Sequence, residues 1–334
     1  MKKFLLKCFL VLLPVVILLT GFFIFDPFKI VYSYKDFYED YIIFLNRDYV
    51  STEMYINNSE KNKYDSFIFG SSRTIAYKTQ SWKKYLDSSA KPFLYDASAE
   101  QVDGIYLKIK FLEKTGSPIR NAIIIICRDC SFAKYDPESG HLFVKHPEIS
   151  GKSYFSFYKP FIKDYFNFNF LRSYYDYRLN HKVKNFMWGI IDPKQLVVDP
   201  VTNDLFPVNI ENEIKTDSVK FFAGIASQFY HRGNNIPLSE PAISETHIEM
   251  LKEIERIFKE KNTDYKIIIS PLYEQKKFAE KDMQILDNIF GAEHVYDFSG
   301  VNEFTDDYHN YYEASHYRIS VGDEILKRIY QKTN

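Results

Sequence analysis

Residues 66–74 read Ser66-Phe67-Ile68-Phe69-Gly70-Ser71-Ser72-Arg73-Thr74. A short apolar run closed by a glycine and followed by hydroxyl residues is the pattern of a strand that ends in a tight turn and hands over to a helix. Comparable runs recur at 93–95, 122–126, 266–269 and 295–298, with amphipathic stretches near 73–86, 101–115, 245–261, 276–290 and 319–331. This alternation predicts βα units and a largely parallel sheet, hence an α/β fold. The run 122–126 is almost wholly β-branched and has no polar member, as a central strand buried on both faces requires. Ser244 precedes Ile248, Leu251, Ile254 and Ile257 at helical spacing, so it is placed as an N-cap. The order reads βαβαβ, a long insertion at about 133–243, then αβαβα.

Toward the N-terminus, residues 8–25 (CFLVLLPVVILLTGFFIF) form 18 consecutive positions without a charge, preceded by Lys2, Lys3 and Lys7. As a helix this run is about 27 Å long, close to the hydrocarbon thickness of a bilayer. A cleaved signal peptide shares these features, but the run ends in Phe22-Phe23-Ile24-Phe25-Asp26-Pro27 rather than in a small-residue cleavage site. The reading is therefore one transmembrane helix within residues 1–27, with the N-terminus cytoplasmic and the remainder extracytoplasmic. Cys8 is a poor lipid-attachment candidate, because the apolar run follows it. Residues 28–63 read as a stalk and 64–334 as the α/β domain.

The whole chain of 334 residues is 46% hydrophobic and 18% aromatic with three cysteines, which excludes a disordered, collagen-like or disulfide-scaffold protein. Lys plus Arg (43) against Asp plus Glu (44) leaves a net charge of 43 − 44 = −1, so no global field exists to hold nucleic acid. The first half of the insertion, from Tyr154 to Tyr177, is dense in rings that serve either as packing or as a wall for a sugar. Its second half carries Pro193, Pro200, Pro207, Pro237 and Pro241 and is expected to be loop-rich.

Two motifs carry chemistry. Ser72 sits where a strand gives way to a helix, with backbone N–H groups nearby. A hydroxyl there can attack a carbonyl while those groups stabilise the oxyanion, or it can simply cap the helix. Near the C-terminus, Tyr311-Tyr312-Glu313-Ala314-Ser315-His316-Tyr317 places a carboxylate three residues before a histidine. Glu313 can fix one ring nitrogen and leave the other free as a base, or the two can form a surface ion pair. In an open α/β sheet both motifs fall at the C-terminal edge of the strands, where such folds place their sites.

The Gly70-Ser71-Ser72 opening, Glu313-x-x-His316, and Tyr95-Asp96-Ala97-Ser98-Ala99 after the second strand resemble the SGNH (GDSL-like) hydrolase superfamily. They are most similar to its membrane-anchored members that assist O-acylation of envelope polymers, of the teichoic acid D-alanylation and alginate acetylation type. The resemblance covers residues 64–132 and 264–331. It implies a flavodoxin-like three-layer fold and a Ser-His-Glu triad of Ser72, His316 and Glu313, with oxyanion donors at the N–H groups of Ser72 and Ala99. It further implies transfer of an acyl group to an envelope glycan or glycopolymer, or ester hydrolysis, with no cofactor, no metal and a multi-spanning acyltransferase partner. Ser71 stands where the family has Asp, Ala99 where it has Gly, and Cys127-Arg128-Asp129-Cys130 contains no counterpart of the family's third-block Asn. Arg73, next to the nucleophile, is a candidate for an anionic substrate group or a salt bridge.

Three other readings compete. Cys127 and Cys130 form a C-x-x-C after a strand, for redox chemistry, a disulfide or two buried thiols. His309, Glu313 and His316 have the spacing to share a helical face and bind zinc. The domain can also be an inactive binding or assembly module.

Overall fold

In a computed structural model of the chain, five parallel strands form one sheet: β1 (Ser66–Gly70), β2 (Pro92–Asp96), β3 (Asn121–Ile126), β4 (Asp264–Ile269) and β5 (Val295–Asp297). The structure describes residues 1–133, 140–191, 196–233 and 238–331, without the side chains of residues 2, 5, 6 and 8. Pro193, Pro237 and the Cys8 thiol lie outside the described residues.

The strand order is β2-β1-β3-β4-β5. Phe67, Ile68 and Phe69 of β1 and Ile123 to Ile126 of β3 are all buried, so the central strands are apolar on both faces as expected. The chain steps one way from β1 to β2 and the opposite way from β2 through β5. Right-handed connections then put α3 (Val102–Lys114), α8 (Glu245–Glu260) and α9 (Glu280–Phe290) on one face, and α10 (Ile319–Tyr330) with the short helix Thr79–Lys83 on the other. Trp82 of that short helix donates its indole N–H to the Tyr330 hydroxyl at 2.8 Å, tying the second layer together. The direction reverses between β1 and β3, and the crevice at their C-terminal ends is where doubly wound sheets bind ligands.

Gly322 of α10 lies against the 3₁₀ turn Ser72–Ala76; a Cβ there would be 2.1 Å from the Ala76 carbonyl oxygen. A backbone atom cannot swing aside like a side chain, so Gly322→Ala is expected to cost roughly 1–3 kcal/mol. A lowered urea midpoint with an unchanged slope would report it.

Helix α1 (Lys2–Phe25) is a single helix that continues through Pro14. Among the described residues no helix is long and apolar enough to cross a membrane. The apolar side chains Phe9, Val11, Val16 and Ile17 are exposed along it. It ends where the Asp26 carboxylate turns the chain, accepting from the backbone N–H groups of Ile30 and Val31, each at 2.9 Å.

Residues 28–63, expected as a stalk, are part of the domain body. Phe28, Ile30, Phe37 and Ile43 are buried, and α2 (Arg47–Asn62) packs across β2. The contact joins ring packing, with Tyr55 stacked on Tyr95 of β2 at 5.5 Å, to an ionic network that the apolar pattern does not reveal. Arg47 grips the Asp96 carboxylate through two nitrogens, and Lys108 of α3, fully buried, meets Glu100 at 2.5 Å and Asp48 of α2 at 3.3 Å. Lys145 reaches the other oxygen of Glu100 at 3.0 Å.

In the insertion it is the second half that departs from expectation. Its ring-rich half forms α4 (Tyr154–Tyr165) and α5 (Phe168–Asn180), whose inner rings pack on the C-terminal end of α1: Tyr165 stands edge-on to Phe22 at 5.2 Å, and Phe28 stacks on Phe170 at 5.1 Å. These rings are packing, which removes them as a wall over the active edge. The half expected to be loop-rich contains α6 (Val208–Thr216) and α7 (Ser218–Ile225), and it is this half that abuts the C-terminal motif, through Ile214 and Phe222 against Tyr312.

Candidate active site

The turn after β1 depends on Gly70, whose φ is +150°. A Cβ there would lie 3.0 Å from the Ile125 carbonyl oxygen on β3, so only glycine lets β1 end this close to its neighbour. The chain then places Ser71 in the interior and starts the 3₁₀ turn at Ser72, whose side chain is half-exposed at the crevice.

Glu313 and His316 come from a different device than a helix. The strand pair Tyr311–Glu313 and His316–Tyr317 forms an antiparallel hairpin in which Glu313 faces His316 across the two-residue turn Ala314-Ser315. The buried Tyr311 and Tyr317 anchor it, Tyr311 donating its hydroxyl to the Pro271 carbonyl at 2.9 Å. From this hairpin His316 Nε2 lies 2.8 Å from Ser72 Oγ, although the two residues are 244 apart in sequence. Its Nδ1 hydrogen-bonds Glu313 Oε1, and Glu313 Oε2 accepts from the Ser315 backbone N–H at 2.7 Å. Burial pushes the Glu313 carboxyl upward, but the His316 contact, the Ser315 N–H and the nearby Arg73 charge outweigh it and hold it below the usual glutamate value. An ionised acid in this place can accept from Nδ1–H, an arrangement that would leave Nε2 free to accept a proton from Ser72 Oγ.

The hairpin rules out the zinc alternative in the form proposed, because Glu313 and His316 are not on a helix. His309 turns away to hydrogen-bond Asp307 at 2.6 Å and stands against Phe222. Among the described residues the one grouping with metal-ligand spacing is Cys127, Asp129 and Cys130. The two cysteines are free and buried rather than disulfide-linked. Burial raises the Cys127 thiol, yet the Cys130 hydrogen bond and the Arg73 guanidinium overcome this and bring it below the ordinary thiol value, while Cys130 is driven up.

Arg73 does not face the crevice as a substrate-binding cation. It is 8% exposed, and all three guanidinium nitrogens are engaged: Nε donates to the Ser315 carbonyl at 3.0 Å, Nη2 to Asp129 at 2.5 Å and Nη1 to Cys130 Sγ at 3.5 Å. The salt bridge expected as its other role is present, but to Asp129 rather than along its own helix. Arg128, in the turn after β3, pairs with Glu274 through two contacts of 2.6 and 2.8 Å. Ala99 has φ +48°, the left-handed conformation that favours glycine, in the loop between β2 and α3. Sequence reasoning missed Asp129 as a partner of Arg73, and Ser71 as a partner of Cys127 at 3.4 Å. Nothing in the local pattern signals contacts made across so many residues.

The fold and this constellation define an α/β protein with a Ser-His-Glu arrangement at the C-terminal edge of a parallel sheet. The chain matches no family model and no curated protein.

Proposed function

We propose that the protein is a serine-dependent O-acyltransferase or esterase of SGNH-like, flavodoxin-like architecture. The observation that carries this reading is the 2.8 Å contact between Ser72 Oγ and His316 Nε2, with Glu313 on the other ring nitrogen. Ser72 Oγ attacks the acyl carbonyl and its proton passes to His316 Nε2. The Ser72 N–H and that of Ala99 are the candidate donors to the oxyanion. His316 then returns the proton to the departing alkoxide, and a second hydroxyl, from a glycan or from water, takes the acyl group from Ser72 in the reverse sequence.

The proposed setting is the outer face of a membrane, with α1 as a single-pass anchor and an envelope glycan or glycopolymer as acceptor. Its exposed apolar side chains and the three lysines that precede them support this placement. A multi-spanning acyltransferase would deliver the acyl group, since one helix cannot carry it across a bilayer. The competing reading, an inactive binding or assembly module, is favoured by the absence of an amide in the Cys127-Arg128-Asp129-Cys130 turn.

A serine-directed fluorophosphonate probe on the full chain decides between them. Labelling that disappears in Ser72→Ala is the expected result. Labelling that survives the substitution contradicts the nucleophile assignment, and no labelling of a folded wild-type chain favours the binding module.

A further inference from the structure

The residues on either side of Ser72 are both held by one turn. Ser71 Oγ lies 3.4 Å from Cys127 Sγ, and Arg73 bonds Asp129 and Cys130 of the same turn, which is closed by the Cys130 N–H on the Cys127 carbonyl at 3.2 Å. The remaining donor of Arg73 crosses to the carbonyl of Ser315, the residue immediately before His316. One buried guanidinium therefore joins the element that carries the nucleophile, the end of β3, and the hairpin that carries the base.

We propose that Arg73 is a positioning residue, clamped by Asp129, that fixes the His316 hairpin against Ser72. This rests on the serine acyl-transfer reading. The hairpin needs such a restraint because it is only a two-stranded ribbon, and an isolated pair of this kind is marginal by itself. Its buried tyrosines hold one end, and the turn at Ala314-Ser315, half-exposed to exposed, is held from below by Arg73. A planar guanidinium suits the task, since its donors point in fixed directions and can serve a carboxylate, a thiol and a carbonyl at once. Lys has one ammonium on a flexible stem and cannot reproduce that geometry. The Cys127–Cys130 turn, which lacks the amide of the resembled family, then contributes through the anion of Asp129 rather than through a side chain aimed at the oxyanion.

The test is the rate of fluorophosphonate labelling of the full chain, followed against pH for wild type, Arg73→Met, Arg73→Lys and Asp129→Asn. A displacement of the base by about 1 Å costs on the order of 100-fold, so Arg73→Met is expected to label about 100-fold more slowly, still at Ser72. Arg73→Lys should recover part of that loss. Its acid limb should move to higher pH in Arg73→Met, because the guanidinium is one of the charges that keep Glu313 ionised. Asp129 is part-exposed, so Asp129→Asn keeps the fold and should slow labelling in the same direction by a smaller factor. Unchanged rates and pH profiles in Arg73→Lys and Asp129→Asn, with a normally labelled wild type, overturn the clamp alone. A wild type that takes no label overturns the serine reading and the clamp with it.

Discussion

Ester turnover by Ser72→Ala is expected to fall by about 10⁴- to 10⁶-fold while the fold is retained. In the proposed reaction the hydroxyl is both the attacking atom and the acceptor of the acyl group, and no other side chain among the described residues is hydrogen-bonded to His316 Nε2. His316→Ala should cost a similar factor, because without Nε2 the serine proton has no acceptor. The double variant should be little worse than either single one, since members of such a constellation act as a unit. Comparable urea midpoints for wild type and Ser72→Ala would establish that the loss is chemical. An additive loss in the double variant would mean that Ser72 and His316 act separately.

Lys108→Met is the substitution with the largest expected effect on stability, about 3–5 kcal/mol. Lys108 is fully buried and compensates Glu100 and Asp48, and it also donates to the Asp96 carbonyl at 2.9 Å. Removing the ammonium leaves two desolvated carboxylates with Lys145 as the remaining buried cation beside them. The pH dependence follows from Asp48. Burial raises its carboxyl, but Lys108 and Lys145 outweigh this and hold it below the ordinary aspartate value. A depressed carboxyl contributes stability that is present above its unfolded value, about 4, and is lost as pH falls through the folded one. In Lys108→Met the Asp48 carboxylate is expected to take up a proton more readily than in wild type, so the deficit should be widest at neutral pH and narrow on acidification. Urea titrations of both chains at pH 7 and pH 5 measure it. A deficit below about 1 kcal/mol at pH 7 would mean that α2 is only loosely attached.

The parallel sheet was legible because β1, β2 and β3 are buried on both faces and each contains an uninterrupted apolar run, with Gly70 closing β1; β4 and β5 are partly exposed, and their runs include Lys266 and Asp297. Ser72, Glu313 and His316 were legible because one motif follows the first strand and the other the last, which brings both to the C-terminal edge of the sheet. The hairpin that carries the last two was not, because a ribbon of five residues has too short a pattern to separate from a loop or helix start. Residues 28–63 were misread because the buried face of α2 mixes Val50, Met54 and Tyr55 with Arg47, Asp48, Ser51 and Thr52, so charged and hydroxyl residues break up its apolar spacing. The same limit hid the partners of Arg73, which lie 56 and 242 residues away.

In the proposed reaction Ser72 carries an acyl group during turnover. Brief exposure of the full chain to p-nitrophenyl acetate, acid quenching and peptide mass spectrometry tests this directly. One acetyl increment on the peptide containing Ser72 and a matching burst of nitrophenol are expected, and neither in Ser72→Ala. An acetyl group found on another residue, or steady release of nitrophenol by wild type with no acylated Ser72 peptide, would contradict the proposed reaction.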